Sequence, residues 1–332
     1  MAEPLVTLAW RPFRLPLARP LVTAQGALTE KRGWLVRLEA DRLGAPAGLG
    51  WGEAAPLCFT PATAQELQRA LAAAIESLGS VLPRKAVEAA LPSLPPELAF
   101  ALGLALAEAD GLVGAAAAGW LAAPPSAVLL PAGEAAVAAL AAALERPGAT
   151  PITCKWKVAA LEDGLERRVL ETVLQSLPSQ ARIRVDANGG WDRATAAAWA
   201  DRLVEEPRLQ WLEQPLAAED QAGLEALAAR LPVALDESLR DCPALRRGWS
   251  GWQVRRPALE GDPRPLLAQL LAGTPRLMLS TAFETGIGRR WLDHLAALQA
   301  RGPTPAAPGL APGWVSAGPL LSRDPQRVWG AT

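Results

Sequence analysis

The sequence predicts an α/β protein: a (β/α)8-type barrel over residues 96–315, an α+β capping domain over 1–95 before it, and a segment, 316–332, that returns to the cap. Three observations carry this. Beyond about residue 127, short apolar runs alternate with Ala- and Leu-rich helical stretches, as strand–helix repeats require. Lys157, Asp186, Glu213, Asp236 and Arg256 each stand at the end of such a run, 29, 27, 23 and 20 residues apart, about one strand–helix unit each time. The first 55 residues instead alternate with a period of two, the pattern of antiparallel strands.

The elements follow in order. Leu35-Val36-Arg37-Leu38 alternates, and Gly50-Trp51-Gly52-Glu53 closes a hairpin-like unit after a Gly/Pro-bearing turn at 44–50. A helix is expected from Thr63, as N-cap with Glu66 three residues on, to about Leu78. Pro-rich punctuation at 92–96 marks the domain boundary, and a second helix spans about Pro96–Leu112. Barrel strands are expected at 127–130, 152–157, 182–186, 209–213, 233–236, 252–256, 276–280 and 311–315, with helices such as 193–205, 219–230 and 288–300 between them.

Composition narrows the function. Half the 332 residues are apolar and the net charge is -1, with no basic block, so neither a nucleic-acid nor a membrane-surface partner is expected. The apolar stretch 99–123 is broken by Glu108 and Asp110 and reads as a buried helix, not a span. Met1–Arg14 lacks a signal-peptide layout, and the three cysteines, Cys58, Cys154 and Cys242, are too scattered for a disulfide frame; a cytoplasmic protein with reduced thiols is expected. With one histidine, His294, and no tyrosine, a His-led triad or multi-histidine zinc site is excluded. Carboxylates, lysines and arginines are left to do the chemistry.

Strand C-termini converge in a barrel, and that is where these groups lie. In 152–157, Lys155 and Lys157 share one face and Cys154 and Trp156 the other. Two neighbouring ammonium groups disfavour each other's charge, and burial adds to this, which makes a lysine a usable base near neutral pH. Asp186, Glu213 and Asp236, from successive strand ends, make an oxygen site for a hard divalent cation, Mg²⁺ or else Mn²⁺, with positions left for a substrate carboxylate. Asn188 and Glu237 would orient the ligands. Parity does not decide whether Arg255 or Arg256 faces inward. Ser280, Thr281 and Gly286 lie in a hydroxyl- and glycine-rich loop before a helix, whose backbone N–H groups could receive a substrate carboxylate.

At these residues the chain resembles the enolase superfamily and, within it, the o-succinylbenzoate synthases. The resemblance covers nearly the whole chain: RPLVTAQGALTEKRGWLVRL (19–38) and GWGEAAPL (50–57) in the cap, CKWKV, VDANGGW, WLEQP and ALDES in the barrel, and STAFETGIG (280–288) at the seventh strand. It implies that Lys157 is the acid/base, that Lys155 supports it, that Asp186, Glu213 and Asp236 bind Mg²⁺, and that a cap loop near 18–26 closes over the substrate. The implied activity is a carbon–oxygen lyase: dehydration of 2-succinyl-6-hydroxy-2,4-cyclohexadiene-1-carboxylate to o-succinylbenzoate, on the route to menaquinone or phylloquinone. Two departures stand out. Arg256-Pro257 replaces the family's Lys-Pro at the sixth strand, and GLAPGWV (309–315) lacks the acid often found at the eighth. The alternatives are an N-acylamino acid racemase, a dipeptide epimerase or a cycloisomerase of the same superfamily, or a non-catalytic barrel that keeps the metal site.

Overall fold

The computed structural model describes residues 3–23, 26–42, 45–114, 119–146 and 151–332. The tip of the expected closing loop (24 and 25), part of the 44–50 turn and part of the apolar stretch 99–123 lie outside them.

Strands β1 (Leu5–Thr23), β2 (Gly26–Arg42) and β3 (Ala45–Ala54) form an antiparallel sheet, joined at the far edge by β4 (Val81–Pro83), in the order β3-β2-β1-β4. Helix α1 (Pro61–Leu78) starts two residues before the expected Thr63 cap. Proline suits a first helical position because its φ is preset and its missing N–H is not needed there. Thr60 is therefore the N-cap residue, and Thr63 lies inside the helix with its hydroxyl accepting from that of Thr60 at 2.9 Å. Helix α2 (Arg84–Ala90) leads to α3 (Pro96–Ala109).

Helix α3 is apolar all round because both of its faces are covered. Leu98, Ala101, Leu102 and Ala105 pack with Val36 and Leu38 of the cap sheet, whereas Phe100, Leu104 and Ala107 join the barrel cluster around Leu277, Leu279 and Trp291. The sheet lies directly on this helix. A side chain at Gly50 or Gly52 would put its Cβ 1.8 Å from the Ala105 carbonyl oxygen or 2.0 Å from that of Ala101. Among the described residues no helix is long and apolar enough to cross a membrane.

The second unit alternates strands and helices: β5 (Val128–Leu130), α4 (Ala135–Leu144), β6 (Thr153–Lys157), α5 (Asp163–Ser176), β7 (Arg182–Asp186), α6 (Arg193–Leu203), β8 (Leu209–Glu213), α7 (Gln221–Ala228), β9 (Val233–Leu235), α8 (Glu237–Asp241), α9 (Leu245–Gly248), β10 (Trp252–Arg255), α10 (Arg264–Leu271), β11 (Leu277–Leu279) and α11 (Gly286–Gln299). A last short helix, α12 (Pro325–Trp329), follows. The seven strands make one curled parallel sheet in sequence order, β5 to β11. Register places the chemistry in a row: Lys157 pairs with Asp186, and Asp186 with Glu213.

The expected eighth strand at 311–315 is not formed. Within it Pro312 has no N–H to give to a ladder, and Ala311 takes a left-handed φ of 43°. Instead, the residues just before it touch both sheet edges. Gly309 N–H donates to the Leu279 carbonyl (2.8 Å), Thr281 N–H donates to that of Gly309 (2.9 Å), and Ala127 N–H donates to that of Pro308 (2.9 Å).

Candidate active site

Strand β6 delivers both lysines to one side, while Cys154 and Trp156 are buried behind it in the core between sheet and helices. Lys155 Nζ lies 2.5 Å from Glu213 Oε1 and 2.9 Å from Asp186 Oδ2. Lys157 Nζ lies 3.1 Å from Asp186 Oδ2 and donates to Asn188 Oδ1 at 2.6 Å. From the other side of the curled sheet, Arg256 forks onto Asp236, with Nε donating at 2.9 Å and Nη2 at 2.6 Å, and its Nη1 donates to the Thr281 carbonyl at 2.5 Å.

Arg255 turns away, onto Glu260 at 2.5 Å. Arg256 is thus the inward arginine, and Glu260 also takes its backbone N–H at 2.6 Å.

Charge compensation sets the protonation states. Burial disfavours the Lys155 ammonium, but Asp186 and Glu213 outweigh it and hold the group above its ordinary value. Like-charge repulsion between the lysines, expected from the sequence to lower a lysine, does not prevail at Lys155, because these carboxylates are closer partners. Burial also works against Asp186, yet Lys155 and Lys157 hold its carboxyl well below the usual range. For Asp236, burial is overcome by Arg256 and the carboxyl is held down. Glu213 is pushed up by burial, with Asp186 and Asp236 adding to it against the pull of Lys155.

Glu237 is pushed up to about 7, first by burial and then by Asp236 and Asp186. Its Oε1 accepts from Asn188 Nδ2 at 3.0 Å, and its Oε2 is buried without a hydrogen-bond partner.

Tight turns follow the strand ends. Asn188, Gln214 and Phe283 all have positive φ, at 46°, 36° and 63°, a cost that concentrates at functional sites. Gln214 uses its side-chain oxygen to accept the N–H groups of Asp236 and Ser238, each at 3.1 Å, which fixes the turn that carries Asp236.

A cavity opens over these groups. Its lining includes Lys155, Lys157, Asn188, Asp236, Glu237 and Arg256, together with Ser280, Thr281 and Phe283. Gly286 does not line it, contrary to expectation. Its Cα packs on the C-terminal segment, where a Cβ would come 1.8 Å from the Ser322 carbonyl oxygen. The N-terminus of α11 is already satisfied by a cap residue: Glu53 accepts from Thr285 N at 2.9 Å, Thr285 Oγ1 at 2.5 Å and Gly288 N at 3.1 Å. The Thr281 hydroxyl donates to Glu284 at 2.5 Å, and that of Ser280 points to the Gly309 carbonyl at 3.3 Å.

Beneath the acids Arg184 is fully buried, stacked 4.1 Å over the Trp211 ring, and donates to Gln210 and to the Ala307 carbonyl, each at 2.7 Å. Its position two residues before Asp186 was the only signal for it. Trp211 Nε1 in turn donates to Glu213 Oε2 at 3.2 Å. His294 lies away from the cavity and accepts the Leu121 N–H at 3.2 Å.

Among the described residues no three carboxylate, imidazole or thiol groups are gathered closely enough to grip one ion, since each acid is turned onto a cation. The donor set nevertheless suits a hard divalent cation: three buried carboxylates from consecutive strands, plus a buried carboxylate oxygen of Glu237 with no partner.

The chain is similar to known proteins. Residues 133–249 match the family model described as enolase C-terminal domain-like. The o-succinylbenzoate synthase of Thermosynechococcus vestitus is 35% identical over 86% of this chain and 87% of that protein. A crystal structure of the Thermosynechococcus elongatus o-succinylbenzoate synthase, complexed with Mg in the active site, aligns with a TM-score of 0.80 and 32% identity over 98% of this chain and all (100%) of that one. The muconate lactonizing enzyme of Pseudomonas fluorescens shares the fold alone, at a TM-score of 0.72 and 21% identity over 96% of this chain and 91% of that one. By these likenesses the chain is an enolase-superfamily enzyme; within that superfamily, it belongs to the o-succinylbenzoate synthase family.

Proposed function

We propose that this chain is a lyase that dehydrates 2-succinyl-6-hydroxy-2,4-cyclohexadiene-1-carboxylate to o-succinylbenzoate, serving quinone biosynthesis in the cytoplasm. The observation that carries the reading is the meeting of two lysines and one arginine with three buried carboxylates at consecutive strand ends under a cavity. Asp186, Glu213 and Asp236 would hold Mg²⁺. Bound there, the ion supplies Lewis-acid stabilisation of charge on the substrate carboxylate.

The chain's own residues do the rest. Lys157 Nζ takes the proton from the ring carbon that bears the carboxylate, and the electron pair of that C–H bond moves onto the carboxylate oxygens. The same Nζ then returns the proton to the hydroxyl on the adjacent carbon as its C–O bond breaks; the pair comes back to form the new ring double bond, releasing water and leaving an aromatic ring. One group suffices because both bonds lie on one face. Lys155 keeps its charge between Asp186 and Glu213 and steadies both. Asn188 orients Lys157. Arg256 faces the ring from the opposite side as a fixed cation.

Racemisation and epimerisation need a base on each face. Arginine stays protonated in proteins, and here Asp236 holds the Arg256 guanidinium further up still against the effect of burial. The synthase reading is therefore favoured over the racemase and epimerase readings.

The same reading divides the chain into a cap over 1–95, a barrel over 96–315 and a tail over 316–332. The tail's contacts with the cap support this: Ser316 N–H donates to the Pro16 carbonyl at 3.1 Å, and Trp329 meets Trp51 edge-on at 5.6 Å. The hydrogen bonds of Pro308 and Gly309 to both sheet edges support an eighth barrel position without regular strand.

The test is turnover of the cyclohexadiene carboxylate by purified protein. Formation of the aromatic product should require Mg²⁺ and stop on chelation; no product with Mg²⁺ present would reject the reading.

A further inference from the structure

Among the described residues, four cations line the cavity: Lys155, Lys157, Arg240 and Arg256. Three are committed to the strand-end acids, Lys155 and Lys157 to Asp186 and Glu213, and Arg256 to Asp236. Arg240 is not. It sits on α8, one turn beyond Asp236, and its Nε and Nη2 donate to the next residue, Asp241, at 2.7 and 3.2 Å. Asp241 does not line the cavity. Both side chains are nearly half exposed, at 47% and 45%, and exposed ion pairs of this kind hold their partners weakly. A ligand carboxylate can therefore replace Asp241 on the guanidinium, whose fork fits two carboxylate oxygens.

The surroundings favour such an exchange. Leu21, Leu57, Leu129, Val254 and Leu259 also line the cavity, so a substrate group that passes the metal-side acids meets apolar walls and, among the described residues, a single spare cation. Asp236 and Glu237 both act electrostatically on Arg240, which shows that it belongs to the same electrostatic neighbourhood.

We propose that Arg240 is a specificity residue for a second, distal carboxylate on the substrate, so that the site selects cyclic carboxylates with a short acidic side chain over those with an apolar one. This rests on the reading of the strand-end acids as the seat of the first carboxylate.

The test is equilibrium binding in the presence of Mg²⁺ of two aromatic ligands, o-succinylbenzoate and 2-butanoylbenzoate, which differ by the terminal carboxylate. Hydrogen bonds to charged groups predict that the unaltered protein prefers the diacid by about tenfold to a hundredfold. Arg240→Gln should abolish that preference while leaving affinity for the monoacid unchanged, which also reports an intact fold, and Arg240→Lys should keep part of it. No preference in the unaltered protein, or a preference that survives Arg240→Gln, would overturn the proposal. A preference that depends on Arg240 in a protein that turns over no cyclohexadiene carboxylate would uphold the proposal and reject the synthase reading alone.

Discussion

Carboxylates at the strand ends and at the contact of cap and barrel are both buried, in opposite ways. At the strand ends, three acids face three cations, and the cations hold Asp186 and Asp236 down despite burial. Where the cap meets the barrel, Glu53 is just as enclosed, but most of its partners are neutral donors: Thr285 N–H, Thr285 hydroxyl and Gly288 N–H. Burial dominates there and pushes Glu53 up to about 7, with the nearby Glu284 charge adding to this and Lys31 opposing it. Lys31 itself donates to the Ala55 carbonyl at 2.9 Å and is pulled down, mainly by burial. The first region keeps its charges close to a cavity where they can act on a ligand. The second uses one carboxylate to tie a cap strand to the helix behind the cavity loop.

The largest test of this contrast is at Lys157. Lys157→Ala should cost about 10²–10⁴ in kcat, as loss of a positioned acid/base does, with little change in thermal midpoint. Lys155→Ala should cost less. Equal, mild losses in both variants would remove the difference in role.

The cap contact should behave the other way round. Glu53→Ala leaves buried N–H groups of Thr285 and Gly288 without an acceptor, which should destabilise the fold by about 3 kcal/mol in urea unfolding. The pH dependence has a definite sign. The folded carboxyl, at about 7, binds a proton more readily than the unfolded one, near its ordinary value of 4.5. Between those two values the folded state holds more protons, so this contribution is complete below the lower value and is lost as pH rises through the upper one. The shift corresponds to about 3 kcal/mol. Glu53→Gln should flatten that slope in unfolding titrations between pH 4.5 and 7 while Lys157-dependent turnover persists; an unchanged slope would place the titration elsewhere.

The two regions were also unequally legible in the sequence. The strand-end row could be read because each group sits at the end of an apolar run and strand parity is local: Lys155 and Lys157, Asp186, Glu213 and Asp236 needed no knowledge of tertiary contacts beyond the barrel. The Glu53 contact joins residues 232 apart in the chain, and no local period encodes such a pairing. Gly286 illustrates the cost. Its loop has the composition of an anion site, but Glu53 and the tail already occupy it. Arg255 and Arg256 were indistinguishable by sequence because adjacent residues differ only in face, and the partners that decide, Glu260 and Asp236, lie in other segments. The 311–315 segment has an apolar composition, but Pro312 withholds an N–H and Ala311 turns left-handed, so no strand forms there.

Arg256 lies between the two regimes, as both a site cation and a structural fork, and the smallest predicted effect is there. It ties Asp236 to the Thr281 carbonyl and so spans β10, the turn after β9 and the loop after β11. Lysine in its place would keep the positive charge toward the ring but could not satisfy the carboxylate and the carbonyl with the same planar fork. Arg256→Lys should therefore hold dehydration within about tenfold, some 1.4 kcal/mol, and Arg256→Ala should cost more, since Asp236 would lose its cation altogether. A lysine there also supplies a second group able to take up a proton, so Arg256→Lys should raise α-proton exchange of both enantiomers of an N-acylamino acid above the level of the unaltered protein, measured in deuterated water. Fast exchange of both enantiomers by the unaltered protein would refute the single-base reading.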